Sequence, residues 1–242
     1  MAKKGYTYIG VIVDRSGSMC DIRDDMLGGF NEFLKTQAKQ KGSKVSLFRF
    51  DTEFETVYEN LSATNKAAKL TKENFVPRGG TALYDAIGKT IGIVDTYINS
   101  LTDDKKPDKV ILVTITDGDE NSSQEISSEQ VKKLIGEKDK EWELVFMGAN
   151  QDAIGVANSL GFDARKSYAF AATPEGTAKG FSHVGAAINR SVSGCASFSY
   201  SNAEYLSQDE DILIGGGTSN KIGFENAGVS FEEEEKKEGK EA

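Results

Sequence analysis

The sequence predicts an α/β protein organised on a doubly wound, mostly parallel six-stranded sheet with one short antiparallel strand. Three observations predict it. Tyr8 to Val13 is an almost wholly apolar run rich in β-branched residues, as a strand covered on both faces requires. Similar runs at Val110 to Thr116 and Trp142 to Ala149 alternate with segments whose apolar residues recur at helical spacing. Lastly, the strand-like stretches Val45 to Phe50 and Glu53 to Leu61 are joined by Asp51-Thr52 alone. A connection that short pairs its strands antiparallel, because a parallel pair needs a long crossover.

Taken in order, Ile22 to Lys39 reads as a helix with Met26, Phe30, Phe33 and Leu34 along one stripe, and its Gly28-Gly29 pair suggests close packing on the sheet. Residues Ala63 to Phe75 read as a short helix or irregular crossover, and Pro77 to Gly80 as a loop. From Thr81 a helix runs to about Asn99, with Leu83, Ile87, Ile91 and Val94 inward. Further helices follow around Ser127 to Ile135 and Ala153 to Leu160, then a short edge strand at Tyr168 to Ala171. Thr173-Pro174-Glu175 has the chemistry of a helix start, and that helix runs to about Val192. The order β-α-β-β-α-β-α-β-α-β-α implies a right-handed, doubly wound domain. The chain divides into a main domain over 1-195, a C-terminal extension over 196-231 that is free to pack back on it, and an acidic disordered tail over 232-242. The glycine-rich run Gly215 to Gly217 lacks the lysine and the strand–loop–helix setting of a phosphate loop.

With 29 basic and 38 acidic residues the formal net charge of the 242-residue chain is -9, which argues against general affinity for nucleic acid or an anionic membrane. Part of the acidity is the run Glu232 to Glu235. Two cysteines, Cys20 and Cys195, make no disulfide framework and read as free thiols of a reducing compartment. No signal peptide or transmembrane run is evident, so a cytoplasmic protein, or one carried in a phage or other particle, is expected.

The chemistry gathers where the first strand breaks. Asp14-Arg15-Ser16-Gly17-Ser18 places one carboxylate and two hydroxyls at alternate positions, all hard oxygen donors, which suit Mg²⁺ better than a soft metal. Glycine at position 17 permits a tight turn between the serines. This segment resembles the metal-ion-dependent adhesion site of von Willebrand factor type A (vWA) domains, whose first element is Asp-x-Ser-x-Ser. The second element of that family is a threonine on a glycine-rich loop, matched by Thr81 in Gly79-Gly80-Thr81-Ala82-Leu83. The third is an aspartate ending a buried strand, matched by Asp117 in Asp117-Gly118.

The resemblance implies a vWA/Rossmann-like fold with one short antiparallel strand, and a complete metal site. In that site Ser16 and Ser18 ligate the ion directly, and Thr81 does so directly or through water. Asp14 and Asp117 hold coordinated waters. The implied metal is Mg²⁺, with Mn²⁺ or Ca²⁺ satisfying much the same chemistry. The implied function is a protein-binding module that grips an Asp or Glu of a partner through the ion. Two alternatives stand beside it. One is an adaptor for an AAA+ ATPase of the MoxR or chelatase type. The other is a metal-dependent phosphoester hydrolase, which is poorly served because Ser16 stands where aspartyl-nucleophile phosphatases need a second acid. The one histidine, His183, lies on a late helix and reads as a surface or packing residue, so neither a serine nucleophile nor a zinc site is well supported. Arg15 reads either as a solvent-facing group near the ion or as half of a local ion pair.

Overall fold

A computed structural model of the chain describes residues 5–40, 42–149, 153–194, 198–201, 203–205 and 207. Cys195, the Gly215 to Gly217 run and the acidic tail lie outside the described residues.

The apolar run beginning the chain forms β1 (Thr7–Asp14), buried along its whole length. It is followed by α1 (Arg23–Ala38), β2 (Lys44–Phe50), β3 (Phe54–Ser62), α2 (Leu83–Ser100) and β4 (Lys109–Thr116). The second half contains α3 (Ser128–Lys138), β5 (Glu143–Ala149), α4 (Ala153–Ser159), β6 (Ser167–Phe170) and α5 (Pro174–Val192). The six strands lie in the order β3-β2-β1-β4-β5-β6, all neighbours parallel except β2 and β3. The antiparallel pair is the expected one, although β3 begins at Phe54, so its connection is the three residues Asp51-Thr52-Glu53 rather than two.

Alternation along each strand feeds two separate cores. Ile9, Val11 and Val13 of β1 face the layer of α1 and α5, where Phe30, Phe33 and Phe181 pack. Tyr8 and Ile12 face the opposite layer with Leu83, Ile87, Ile91, Val131 and Ile135 of α2 and α3. A sheet covered on both sides explains why its strands read as continuous apolar runs rather than alternating ones. The helix stops and starts also follow local chemistry. Ser127 and Gln130 form a reciprocal capping box on α3, and Thr173 accepts from the Gly176 amide with proline beginning α5.

One local expectation is corrected, and one irregularity was not foreseen. Gly29 is needed for the approach of α5 rather than of the sheet, since a Cβ there would lie 2.2 Å from the Phe181 ring, while Gly28 meets nothing within 4 Å. β3 does not pair regularly. Its register slips between Val45 and Leu47 and again between Leu47 and Phe48, and Asn60 adopts φ 54° there. The Ser46 hydroxyl accepts from the Asn60 amide at 2.8 Å, so the disrupted ladder is satisfied locally. Beyond α5, Phe198, Tyr200 and Tyr205 are buried in the core on the α1 and α5 side. No helix among the described residues is long and apolar enough to cross a membrane.

Candidate metal centre

Ligands of open α/β sheets collect at the carboxyl ends of the strands, and here the polar residues converge at the ends of the two central ones. β1 and β4 are adjacent, with Val13 opposite Ile115, so Asp14 and Thr116 emerge side by side. The Thr116 hydroxyl donates to Asp14 Oδ2 at 2.6 Å, and the Ser16 amide donates to Asp14 Oδ1 at 2.6 Å. The loop then turns so that the Ser16 and Ser18 hydroxyls lie 3.0 Å apart, and Ser18 donates to Asp117 Oδ1 at 2.8 Å. Thr81 arrives from the loop before α2. That loop turns at Gly79, whose φ of +66° favours glycine, and its carbonyl accepts from the Gly17 amide at 3.1 Å.

Gly118 shows where these groups point. A Cβ built on it would lie 3.0 Å from Thr81 Oγ1, 3.5 Å from Ser18 Oγ and 3.9 Å from Ser16 Oγ, its three nearest neighbours. Three hydroxyl oxygens from two loops therefore lie within 4 Å of one point, and the carboxylates of Asp14 and Asp117 adjoin them through the Ser16 amide and the Ser18 hydroxyl. All the donors are hard oxygens, and three of the five are neutral. That set fits a hard divalent cation which keeps part of its water shell. Among the described residues no group of three or more His, Cys, Asp or Glu side chains gathers in a metal-binding arrangement, so the hydroxyl-rich set carries the case.

The electrostatics agree with the donor chemistry. Asp14 is fully buried, and burial pushes its carboxyl up to about 6 against the opposing hydrogen bonds from Thr116 and Ser16; the neighbouring Asp117 adds to the rise. Burial raises the Asp117 carboxyl as well, with the Ser18 hydrogen bond opposing. Each shift marks a carboxylate that is held without a cation of the protein's own.

All five residues singled out in the sequence stand in this arrangement: Asp14, Ser16, Ser18, Thr81 and Asp117. Arg15, by contrast, turns away from it. It is 6% exposed, with Nε 2.8 Å from Asp51 Oδ2 and Nη1 3.3 Å from Glu55 Oε2, so the local ion pair is the reading that holds. His183 is hydrogen-bonded through Nδ1 to the Tyr168 hydroxyl at 2.8 Å. Thr116 escaped the sequence reading, although a polar residue closing an otherwise apolar strand beside Asp14 was a usable signal. Asp85, Glu120 and Asn121 escaped it too. Their partners lie about 40 positions away in the chain, and no local pattern announces them.

No protein-family model matches the sequence, and no curated protein does. Solved structures do match. A von Willebrand factor type A protein from Catenulispora acidiphila superposes with a TM-score of 0.53 at 18% identity, covering 76% of this chain and 42% of that one. The fold is that of a vWA domain. The PilB minor pilin of Streptococcus sanguinis gives a TM-score of 0.58 at 15% identity over 78% of this chain and 63% of its own. Proximal thread matrix protein 1 of the mussel byssus, solved with a zinc-occupied MIDAS motif, gives 0.56 at 13% over 74% and 46%. At such identities the likeness is one of fold. The chain spans less than two thirds of each of these vWA-like chains, and what the longer proteins do as wholes does not transfer to it.

Proposed function

We propose that this vWA-like domain is a divalent-metal-dependent protein-binding module, which grips an Asp or Glu side chain of a partner protein at the carboxyl edge of its sheet. One observation carries the reading. A buried carboxylate, Asp14, has only neutral hydrogen-bond donors, and the hydroxyls of Ser16, Ser18 and Thr81 converge within 4 Å of one point on the same sheet edge. Ser16, Ser18 and Thr81 would hold the ion, while Asp14 and Asp117 would hold its waters and supply charge. When bound, the ion supplies a Lewis-acidic coordination position that a carboxylate from outside can fill. Because the protein's direct ligands in this scheme are neutral, the ion's charge is left largely for the partner's acid.

Mg²⁺ is the proposed metal, on the hardness of the donors; the zinc of the mussel protein is a property of that protein. A binding rather than catalytic role follows from the residues at hand. Ser16 occupies the place where an aspartyl-phosphate mechanism needs its acid, and the described histidine is engaged with Tyr168. An intracellular partner is part of the proposal, and an AAA+ ATPase is one class that fits it.

Affinity capture from lysate in Mg²⁺, in EDTA, and with Asp14→Ala in Mg²⁺ tests the reading. A partner retained only in the first lane is expected, and loss of its capture on removing its own acidic residue locates the contact. ATP hydrolysis by the captured partner would assign the adaptor role. Equal capture in all three lanes would refute a metal-dependent grip.

A further inference from the structure

The loop that carries Asp117 and the helix that begins after Thr81 hold each other in a reciprocal arrangement. α2 has no side-chain cap of its own, since Ala82 occupies the N-cap position. Its first amides are satisfied from across the fold instead: Tyr84 N–H donates to Glu120 Oε2 at 3.0 Å and Asp85 N–H to the Ser123 hydroxyl at 3.1 Å. In return, Asp85 takes three consecutive amides of the loop. Gln124 donates to Oδ2 at 3.0 Å, and Glu125 and Ile126 donate to Oδ1 at 3.0 and 2.8 Å. Glu120 folds the loop on itself by accepting from the Ser122 and Ser123 amides at 2.9 and 2.7 Å.

Thr81 is caught in the middle of this clamp. Its N–H donates to Asn121 Oδ1 at 2.9 Å, and its carbonyl accepts from the Asn121 and Ser122 amides at 3.0 and 3.2 Å. Two glycines permit the contact. A Cβ on Gly80 would lie 2.3 Å from the Ser122 hydroxyl, and one on Gly88 would lie 2.4 Å from the Ile126 side chain. The first loop has fewer ties to this assembly. They are Ser18 to Asp117, Gly17 to Gly79, the Arg78 amide to the Arg15 carbonyl, and Thr116 to Asp14.

We propose that Thr81 and the Asp117 loop form one rigid half of the metal centre, and that Asp85 is the positioning residue whose hold on the loop sets the affinity for a divalent ion. The inference rests on the metal-binding reading above and adds what enforces it. Movement between ligand-free and ligand-bound forms then falls at the seam between the Asp14 to Ser18 loop and this clamped half, not between Thr81 and Asp117. Asp85 touches none of the five donors, so its action is wholly through the loop.

The test uses the full chain and Mg²⁺ alone as the probe, with titration calorimetry and amide hydrogen exchange as readouts. Asp85→Asn keeps the shape but replaces one acceptor oxygen with a donor facing backbone N–H groups. Its Mg²⁺ affinity is expected to fall 10- to 100-fold, the usual cost of losing an outer-shell partner. The Asn121 and Ser122 amides, which bond to Thr81 rather than to Asp85, are expected to exchange faster. Ile135→Val, in the buried core away from the loop, controls for general destabilisation and should leave the affinity unchanged. Glu120→Gln serves as the second variant if Asp85→Asn does not fold, with the same expected direction. Affinity within twofold of the parent, unchanged exchange at Asn121 and Ser122, or an equal loss in Ile135→Val overturns the inference. Absence of Mg²⁺ binding by the parent protein defeats the metal reading itself, and this inference with it; Mg²⁺ binding by the parent that Asp85→Asn leaves unchanged defeats the inference alone.

Discussion

Two buried carboxylates stand at the carboxyl ends of neighbouring strands, and they are treated in opposite ways. Asp51, in the turn after β2, is 1% exposed and has Arg15 Nε and Arg78 Nε each 2.8 Å from its Oδ2, while Oδ1 accepts from the Glu53 amide at 2.7 Å. Burial pushes its carboxyl up, but Arg78, the Glu53 amide and the Arg15 charge together outweigh burial and hold it below the ordinary range. Asp14, at the end of β1, is just as buried, receives hydrogen bonds only from the neutral groups of Thr116 and Ser16, and is pushed up to about 6. The fold thus solves the problem of a buried acid once with guanidinium groups and leaves it unsolved one strand away. A structural carboxylate takes its counter-charge from the chain. One meant for an exchangeable cation must not, because a fixed arginine would compete with the ion.

The comparison breaks most directly by neutralising each acid in turn, in EDTA at pH 7. Asp51→Asn strands the buried Arg15 without its nearest counter-charge, and a loss of about 3 kcal/mol in unfolding free energy is expected, at the lower end of the range for halving a buried ion pair. Asp14→Asn removes a buried charge that has no partner, and the Thr116 hydroxyl can rotate to accept from the new amide. The metal-free variant should therefore be at least as stable as its parent, while Mg²⁺ no longer stabilises it. Urea denaturation of both variants, with and without Mg²⁺, reads all four values. Equal destabilisation by the two substitutions in EDTA would mean that the two sites are alike after all.

The same contrast predicts opposite responses to acid. The Asp14 carboxyl stands above its unfolded value of 3.8, so the folded protein binds the extra proton between the two values. The cost of ionising it is fully present above pH 6 and is relieved as pH falls toward 3.8, a gain of about 3 kcal/mol. Asp51 is depressed, so its contribution is present above its unfolded value and is lost only as pH falls through the lower folded one. In EDTA, stability should thus rise on acidification from pH 7 toward 4 by the Asp14 share and fall below that as Asp51 protonates. Asp14→Asn should reduce the first limb alone, leaving the share of Asp117, whose carboxyl burial also raises. Saturating Mg²⁺ should reverse it, because protonation then displaces the ion.

These differences show where sequence reading reached and where it stopped. The strand order's raw material was legible in the apolar runs, because a sheet buried on both faces demands them, and the antiparallel pair was legible in the short connection after Phe50. The convergence of the five candidate residues was legible because each sits within a residue or two of a glycine or a strand end whose role is local. Asp51 and Asp85 look the same as any surface acid in sequence. What separates them is a partner some 30 to 40 residues away, which only the sheet brings near. Arg15 illustrates the limit most sharply: its neighbours 14 and 16 face the metal centre, while alternation sends its own side chain into the β2–β3 turn. The slipped register of β3 was equally hidden, since it depends on how Asn60 and Ser46 meet across two strands.

The smallest substitution bears on the space itself. Gly118→Ala adds one methyl group, and no positive φ at that position forbids it. The added carbon would lie 3.0 Å from Thr81 Oγ1, closer than an ordinary van der Waals contact, and within 4 Å of both serine hydroxyls. Folding should be affected only modestly, because position 118 is half-buried and the Thr81 hydroxyl need give only slightly. Mg²⁺ affinity should fall roughly tenfold, equivalent to about 1.4 kcal/mol, because the hydroxyls can no longer close on a common point. Ser16→Ala, which removes a donor without filling the space, should weaken Mg²⁺ too, but should leave room for a water in its place. If Gly118→Ala binds Mg²⁺ as well as its parent, the ion does not sit where the three hydroxyls converge. Asp14 would then need another explanation for being the one buried acid of the pair without an arginine.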